Sequence, residues 1–515
     1  MKRLFLLMFL LYLSCGPKGV PLPEMARLSQ GQTLFFGVEL VQPVVWYLGS
    51  KSVFQLPLYN PQSEPVGLVI NGQKLEIQPQ QMLVWVSPAP MKTLSILPTA
   101  AIWIGKPRPC PKQRSSLLVS VDTLRADAID KMPNLKTYFQ SGTQFDQVYT
   151  TAPWTLPAHA SLLFSAYPAE HGVRLPDQKV KSGLTSLADQ LRQLGFVTIG
   201  LTEGNYVSAR FGLDQGFDLF LEYPPEIASG DPAKASVLAA NAQKLKGLLA
   251  ANPGARFFVF WHTYEVHCPY FPHENLSDPD GLGLTQALLD LELKGPSPEQ
   301  FDHLRSLYDG EVRYSDQIIG DLLQSLQGDW VTALTSDHGD EFGEHGGLLH
   351  ADTLYEEAVR VPLLINVPLS NRDKPLSIID IAPLLLEIQD LPQPAGWQGH
   401  PLRSAIQSPL IMESFFWGPH IPSEDPRLLG FRQGEWKLVQ ARNHGEFHAE
   451  LFHLSEDARE QNNQQANQVE RRDQLFSVLS AYADRQVSGQ QADEMSDEQR
   501  ALLQSLGYVL PGKTQ

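Results

Sequence analysis

The chain contains few cysteines and no excess of positive charge, and each shortage excludes a class of protein. Three cysteines in 515 residues are too few for the disulfide frameworks that hold small secreted domains together. A formal net charge of −17 excludes binding along nucleic acid, because the neutralisation of phosphates requires a basic face. The hydrophobic content of 43% and the charged content of 19% indicate globular domains, and the length predicts more than one of them.

Long hydrophobic runs are also missing, apart from one near the N-terminus. Leu4–Leu13 follows two basic residues and is shorter than the roughly 20 residues that cross a bilayer, so it is typical of a secretory signal. The Leu-Ser-Cys that comes next is similar to a bacterial lipoprotein cleavage box. We therefore predict that residues 1–15 are a signal, that Cys15 is acylated, and that the lipid anchors the protein in a bacterial cell envelope, in the periplasm or at the cell surface. Cleavage near Ser14 and release is the alternative.

The two remaining cysteines are predicted to be unpaired. Cys110 precedes one apolar strand, whereas Cys268 follows another. If these strands run parallel, the thiols lie at opposite ends of a sheet, about 17 Å or more apart. A disulfide requires Cα atoms within about 7 Å of each other.

The chain divides into three regions of different pattern. Residues 16–113 show short alternating runs separated by turn signals, which predicts an all-β domain of the sandwich type. Residues 114–400 alternate continuous apolar strands with helical segments, which predicts an α/β domain with a parallel sheet covered by helices on both faces. Residues 401–515 return to short strands and end in an amphipathic helix, which predicts a small α+β subdomain.

Side chains that can bind a metal ion end three of the apolar strands. Asp122, His262 and Asp337 each lie at the carboxyl end of such a strand, the edge where parallel sheets place their active sites. His338 and Gly339 follow Asp337, so two ligands can leave one strand end while the glycine lets the chain turn away. Carboxylates with one imidazole suit zinc or manganese best. We predict one divalent cation held by Asp122, Asp337 and His338, with calcium or magnesium also possible.

Seven stretches, in order, resemble motifs of the sulfatase family of the alkaline phosphatase superfamily. They are SVDTLRAD, TLPAHASLL with YPAEHGV, WHTYEVHCPY, TSDHGDEFGEHG, LYEEAVRVPLLI, GFRQGEWKLV and ELFHLSEDAREQNN. Together they span roughly residues 114–509. The resemblance implies that family's fold, a parallel-rich sheet sandwiched by helices, and metal-dependent cleavage of ester bonds.

The resemblance places Thr155 where sulfatases carry a cysteine or serine that is oxidised to formylglycine. Oxidation of threonine would give a ketone, so the aldehyde route to sulfate ester cleavage is closed. The resemblance implies instead that the Thr155 hydroxyl binds the metal and attacks the ester directly, as threonine does in the phosphodiesterases and phospho-group transferases of this superfamily. Thr155 could at the same time be the N-cap of the helix that follows it.

Further departures replace the cationic sulfate pocket of the family by histidines, which suit proton transfer near neutral pH. His159 stands at the arginine of the C-x-P-x-R motif, and His350 stands where a substrate-binding lysine is usual. His267 matches the histidine on the leaving-group side and is predicted to be the general acid. The predicted substrate contacts are Asn205, His262 and His345, and a structural role is the alternative for each of the two histidines.

Three charged residues near these motifs are predicted to be structural. Arg125 and Asp127 are expected to brace the first strand–helix turn, and Lys437 is expected to lie on the surface of a C-terminal strand.

These residues predict an exported, metal-dependent ester hydrolase or phospho-group transferase that forms a covalent intermediate on Thr155. The expected substrates are phosphate mono- or diesters, either small molecules or esters linked to a glycan or a lipid. One alternative is a sulfuric ester hydrolase. Another is a binding protein that keeps the fold without catalysis.

Overall fold

The computed structural model describes residues 26–30, 33–47, 52–225, 236–271, 273, 295–415, 428–443, 446–483, 485, 489–495, 500 and 503. The predicted signal with Cys15 lies outside the described residues, as does most of the predicted last helix at 498–509. None of the described helices combines the length and the apolar character needed to cross a membrane. Cys110 and Cys268 are both free thiols, which confirms that prediction.

The strands in the described part of the chain are β1 (Ala26–Gln30), β2 (Thr33–Leu40), β3 (Val44–Tyr47), β4 (Phe54–Tyr59), β5 (Val66–Ile70), β6 (Gln73–Ile77), β7 (Met82–Val86), β8 (Thr93–Pro98), β9 (Ile102–Ile104), β10 (Arg108–Pro109), β11 (Ser115–Val121), β12 (Thr143–Tyr149), β13 (Gln178–Lys179), β14 (Val197–Thr202), β15 (Leu219–Glu222), β16 (Phe257–Thr263), β17 (Trp330–Thr335), β18 (Glu341–Phe342), β19 (Leu348–Leu349), β20 (Arg360–Ile365), β21 (Leu376–Ser377), β22 (Leu410–Ser414), β23 (Leu428–Gln433), β24 (Trp436–Asn443), β25 (Glu446–His453) and β26 (Gln490–Gln491).

The helices are α1 (Pro133–Phe139), α2 (Thr155–Phe164), α3 (Pro168–His171), α4 (Leu187–Gln193), α5 (Leu238–Ala250), α6 (Pro298–Ser325), α7 (Glu356–Val359), α8 (Ile381–Glu387) and α9 (Val469–Ala483). Short 3-10 turns span Ala126–Lys131, Ala209–Phe211 and Ile378–Asp380.

The central sheet is parallel in its middle. β11 pairs in parallel with β16 on one side and β17 on the other, and β14 pairs in parallel with β15 and β16. Leu118 of β11 belongs to one buried cluster, which includes α2, α4 and α8, whereas Leu117 and Val119 belong to a second, which includes α1, α5 and α6. Because successive side chains of a strand point to opposite faces, each face of the sheet has its own core. The predicted parallel-rich sheet sandwiched by helices is confirmed.

One apolar strand departs from the parallel arrangement. β20 pairs antiparallel with β17 and with β12, so the expectation that every apolar strand of this region runs parallel is wrong. The physical reason is that a strand buried on both faces is apolar whatever its direction. Its composition therefore carries no information about the direction of pairing.

The N-terminal strands continue the same sheet. β2 pairs antiparallel with β15 on one side and β9 on the other, and β4 and β10 extend the sheet beyond β9. A second, four-stranded sheet runs in the order β3-β8-β5-β6. Side chains of the two sheets, among them Trp46, Leu58 and Ile96, share one core. The two layers are those of a sandwich, and hydrogen bonds between β2 and β15 join this sandwich to the central sheet.

The C-terminal region contains the antiparallel sheet β22-β23-β24-β25 with α9 packed on it through Leu475 and Leu479. Lys437, on β24, is fully buried, so the prediction of a surface position is wrong. Its Nζ lies 3.1 Å from Glu356 Oε1 and 2.8 Å from Glu460 Oε1. The ammonium is buried because two carboxylates compensate its charge, and it connects this sheet to α7.

Candidate metal centre and active site

Two neighbouring strands bring Asp122, Asp337 and His338 to one point. Asp122 directly follows β11, and the other two residues follow its parallel neighbour β17. His338 Nε2 lies 3.7 Å from Asp122 Oδ1 and 3.3 Å from Asp337 Oδ2, and all three side chains are fully buried. These same three atoms make no hydrogen bond within the described part of the chain. Three atoms that can bind a metal ion therefore converge, and none of their lone pairs accepts a hydrogen bond.

The donor set fits a divalent metal ion. A buried polar atom without a hydrogen bond costs about 1–3 kcal/mol, so three of them together require an explanation. His338 Nδ1 donates to the carbonyl of Gly339 at 3.0 Å, which leaves the lone pair on Nε2, where a metal ligand needs it. A cation between Asp122, Asp337 and His338 would use all three atoms.

The electrostatics of the centre also favour a positive charge. Burial raises the pKa of Asp122 well above its ordinary value, and the charges of Asp337 and Asp340 raise it further. Burial raises the pKa of Asp337 to about 7 and lowers the pKa of His338 well below its ordinary value. Ionising two carboxyl groups that are buried side by side costs free energy, and a bound cation would offset that cost.

Thr155 is the first residue of α2, and this helix begins beside the metal centre. His159, one turn later, donates from Nδ1 to the carbonyl of Thr155 at 2.9 Å, and the same nitrogen lies 3.3 Å from Asp337 Oδ2. The cap residue of the helix is Trp154, so the prediction that Thr155 is the N-cap is wrong. The N-terminus of a helix favours anions, and here it lies next to the candidate ligands.

His159 supplies a neutral side chain at the position of the family's arginine. Its Nε2 lies 3.0 Å from Ser120 Oγ. Because Nδ1 donates to Thr155, Nε2 must accept from the serine hydroxyl. Burial lowers the pKa of His159 to about 4. The imidazole therefore positions Thr155 and Asp337 without adding a charge.

His262 binds the other oxygen of Asp122. Its Nε2 lies 3.1 Å from Asp122 Oδ2, and its ring packs edge-on against His159 with 4.8 Å between the centroids. Burial lowers the pKa of His262 well below its ordinary value, so the neutral imidazole donates from Nε2. This hydrogen bond orients Asp122 so that Oδ1 is left for the metal.

Glu203 is a member of the site that sequence reasoning missed. It directly follows β14 and accepts hydrogen bonds from Thr263 Oγ1 at 2.7 Å and from the amide of Tyr264 at 2.9 Å. Burial raises the pKa of Glu203 to about 7. The signal was available, because a carboxylate directly after an apolar parallel strand lies at the same edge of the sheet as Asp122.

His350 is held by Asp340, a second residue that sequence reasoning did not single out. His350 Nδ1 lies 2.7 Å from Asp340 Oδ1, and the hydroxyl of Tyr270 donates to Asp340 Oδ2 at 2.8 Å. The His350 ring lies 4.4 Å from that of His338 and 5.0 Å from that of His267. The carboxylate therefore fixes the orientation of an imidazole that lies between a metal ligand and the predicted acid.

His267 is buried and makes a short hydrogen bond from Nδ1 to the carbonyl of Cys268, at 2.5 Å. Burial, together with the neighbouring His350, lowers the pKa of His267 to about 3. Its predicted role as a general acid therefore requires that a bound anionic ester raise this pKa. That role stays a prediction.

Asn205 lies in the turn after β14 with a φ of 54°. Its amide oxygen and nitrogen are buried and make no hydrogen bond within the described residues. The next residue, Tyr206, donates its amide to the hydroxyl of Tyr264 at 3.2 Å, and the Tyr264 ring lies 4.6 Å from that of His262. An amide side chain is therefore held near the centre with its hydrogen-bonding groups unused.

Contacts from one residue to the next thus connect the following predicted residues: Asp122, Thr155, His159, His262, His267, Asp337, His338 and His350. Arg125, which donates to the carbonyl of Asp340 at 2.7 Å and pairs with Asp127 at 3.0 Å, braces the turn as predicted.

His345 belongs to a different cluster. Its Nδ1 lies 2.6 Å from Glu357 Oε1, its Nε2 lies 3.1 Å from the carbonyl of Arg459, and its ring stacks on Tyr355. These contacts connect the loop after β18 to the C-terminal region. The predicted contact of His345 with substrate stays a prediction, and the contacts of both nitrogens are those of a structural histidine.

His345 should make stability depend on pH. Burial lowers its pKa, but the hydrogen bond to Glu357 and the charge of that carboxylate raise it more, to about 9 from an ordinary 6.5. A raised histidine pKa stabilises the fold fully below pH 6.5 and loses this contribution as the pH rises through about 9. Thermal unfolding should therefore show His345→Gln less stable than wild type at pH 6, with a smaller difference at pH 10. An equal difference at both pH values would contradict the ion pair.

The amino-acid sequence is similar to a protein family and to individual proteins of known sequence. The profile of a protein family described as Sulfatase matches residues 117–390. Arylsulfatase K of Danio rerio is 28% identical over 180 residues, which cover 32% of this chain and 34% of that protein. The ulvan-active sulfatase of Formosa agariphila is 24% identical over 321 residues, which cover 54% of this chain and 61% of that protein. The matched part thus spans about a third of the length of arylsulfatase K and less than two thirds of the length of the ulvan-active sulfatase.

Two solved structures share the fold. The phosphonate monoester hydrolase of Agrobacterium radiobacter superposes with a TM-score of 0.59 at 18% identity, covering 73% of this chain and 96% of that chain. A protein solved in complex with its substrate D-glucosamine-2-N,6-O-disulfate superposes with a TM-score of 0.56 at 18% identity, covering 73% of this chain and 98% of that chain. At this identity the likeness concerns the fold alone.

Proposed function

The chain belongs to the sulfatase family, and from this premise we propose that it is a metal-dependent ester hydrolase, or phospho-group transferase, that works through a covalent intermediate on Thr155. The observation that carries the proposal is the residue at the start of α2. A threonine, which cannot become an aldehyde, lies there beside the buried donors Asp122, Asp337 and His338. We propose phosphate mono- or diesters as its substrates.

Asp122, Asp337 and His338 would hold the metal, with Thr155 as the fourth ligand. The ligand set favours zinc or manganese. Such a cation, when bound, supplies the charge that lowers the pKa of an alcohol and stabilises negative charge on a phosphoryl group. The unused lone pairs of the three side chains support this assignment.

The residues of the chain divide the chemistry between them. Thr155 Oγ forms a bond to phosphorus while the bond from phosphorus to the leaving oxygen breaks, and the hydroxyl proton of Thr155 passes to water. His267 gives a proton to the leaving oxygen. Water, or an acceptor alcohol in a transferase, then attacks phosphorus and passes its proton to His267, while the bond from phosphorus to Thr155 Oγ breaks and that oxygen takes a proton from water. His159 holds the start of α2 and Asp337 in fixed positions relative to each other, because its Nδ1 contacts both.

Charge favours a diester over a monoester. His159, which stands where the family carries an arginine, is neutral because burial lowers its pKa to about 4. A pocket with a neutral imidazole in place of that guanidinium compensates one negative charge on the substrate more readily than two. A sulfate monoester also carries one charge, so the choice between phosphorus and sulfur depends on the nucleophile instead.

The substrate preference tests the proposal. Two 4-nitrophenyl esters with the same leaving group, a phosphodiester and a sulfate, should differ at least about tenfold in kcat/KM in favour of the phosphodiester, roughly 1.4 kcal/mol. A preference for the sulfate would support the alternative that the named relatives favour, a sulfuric ester hydrolase. Turnover of neither ester by the metal-loaded protein would support a binding protein.

The leaving group tests His267. His267→Ala should reduce kcat for an alkyl phosphodiester by about a hundredfold, because an alkoxide leaves poorly without a proton. The same variant should leave the 4-nitrophenyl ester within a few-fold of wild type, since nitrophenolate needs no acid. Equal losses with both esters would exclude His267 as the proton donor.

We also propose that the substrate is linked to a glycan or a lipid and that the enzyme works in the bacterial cell envelope, held by a lipid on Cys15. The support is the apolar run before that cysteine and the carbohydrate substrates in the names of an ulvan-active relative and of the glucosamine disulfate complex.

A further inference from the structure

A second group of metal-ligating side chains lies outside the centre described above. Glu265 follows the end of β16, Glu311 lies on α6, and His273 contacts both. One donor atom from each residue lies within 4.8 Å of the others. The side chains of Glu265 and Glu311 are 4% and 1% exposed, and that of His273 is 17% exposed. Two carboxylates and an imidazole therefore share one buried space.

The imidazole is oriented toward the carboxylates. His273 Nε2 contacts Glu311 Oε2 and lies 3.6 Å from Glu265 Oε1. Its ring stacks on Tyr314, with 4.0 Å between the centroids and 11° between the planes. Because Tyr314 lies about one helical turn after Glu311 on α6, the same helix supplies one carboxylate and fixes the plane of the imidazole.

Among the described residues, the two carboxylates pair with His273 and with neutral hydrogen-bond donors. Glu311 Oε1 accepts from the amide of Phe271 at 2.5 Å, and Glu265 Oε2 accepts from Ser236 Oγ at 2.7 Å. Both donors are neutral. Within the described residues, the ion-pairing contacts of Glu265 and Glu311 are those with His273. A bound cation would supply the positive charge that two buried carboxylates sharing one imidazole need in order to ionise together.

A cluster of the same composition shows the contrast. Glu341, His345 and Glu357 also place three donor atoms within 4.8 Å. There, however, His345 donates from Nδ1 to Glu357 and from Nε2 to the carbonyl of Arg459. No lone pair of His345 is left for a metal. The described polar contacts of His273 are made through Nε2 alone, and they are with carboxylates.

We propose that Glu265, His273 and Glu311 bind a second divalent cation. Carboxylates with one imidazole are ligands for manganese or zinc. The ion would connect the carboxyl end of β16 to α6. Because His262 and His267 flank Glu265 in the sequence, a cation at Glu265 would hold the segment that presents both histidines to the first centre.

Counting bound manganese tests this proposal. Full-length protein is stripped with a chelator, dialysed against Mn²⁺ and analysed for manganese per chain. Wild type should hold about two equivalents, His273→Ala about one, and Asp337→Asn about one, since each variant loses one site. Combining the two changes should leave almost none. His273 is partly exposed, so His273→Ala should keep the fold, which a thermal unfolding curve checks.

His345→Ala is the matched control and should keep both equivalents. Glu311→Gln preserves the shape of the side chain and should lose the same equivalent as His273→Ala. Two equivalents in His273→Ala would overturn the second site, as would a single equivalent in wild type that disappears in Asp337→Asn. A single equivalent that disappears in His273→Ala but stays in Asp337→Asn would support the second site and contradict the first.

Discussion

Replacing Thr155 with alanine is expected to reduce kcat for every ester by about a thousandfold or more, because the atom that bonds to phosphorus is gone. Turnover of a 4-nitrophenyl phosphodiester measures the loss. In wild type, an acid-quenched reaction with 4-nitrophenyl phosphate, a monoester, should leave about 80 Da of phosphate on the peptide that contains Thr155, and a diester should leave that phosphate with its remaining alcohol attached. The alanine variant should leave none.

The control is Thr155→Ser, which keeps a hydroxyl at the start of α2 and should keep the adduct. Thr155→Ala should also keep most of its metal, because Asp122, Asp337 and His338 remain. Activity within a few-fold of wild type in the alanine variant would show that water attacks the ester directly. Thr155 would then serve only to place the helix N-terminus beside the anion.

The centre could be predicted from the sequence because its residues lie at strand ends. A strand buried on both faces is a continuous apolar run, and its end is marked where polar residues begin. Asp122 after β11 and Asp337 after β17 are marked in this way, and the two strands are parallel neighbours. Local patterns thus indicated which polar residues share an edge of the sheet.

Pairing direction and contacts between distant segments could not be predicted. β20 is as apolar as its neighbours but runs antiparallel to them. The strand pattern predicted a surface position for Lys437. The carboxylates that allow its burial, Glu356 and Glu460, belong to other segments of the chain. Burial of a charge depends on such partners, and one strand's pattern does not contain them.

Two residues that support the site were missed for different reasons. Glu203 was marked by its place directly after β14 but was not singled out, whereas Asp340 acts through a contact with His350 that no local pattern contains. His345 follows the metal motif in sequence, and its Nδ1 contacts Glu357. Its predicted contact with substrate stays a prediction.

Replacing Asp337 with asparagine is expected to abolish metal binding at the first centre and to reduce activity by about a thousandfold, while it stabilises the metal-free fold. Burial raises the pKa of both Asp122 and Asp337, and the charge of Asp337 raises that of Asp122 further, so ionising the two carboxyl groups side by side without a metal costs free energy. Removing one charge removes that repulsion. In the presence of a chelator, Asp337→Asn should therefore unfold at a higher temperature than wild type.

The order should reverse when metal is added. A ligand at a thousand times its Kd stabilises the protein that binds it by about 4 kcal/mol, and only wild type has the complete centre. Asp127→Asn is the matched control, because Asp127 pairs with Arg125 and lies outside the donor set. It should lower Tm equally with chelator and with metal. If Asp337→Asn instead gains as much from metal as wild type does, Asp337 is not a ligand. The burial of two neighbouring carboxyl groups would then require an explanation other than metal binding.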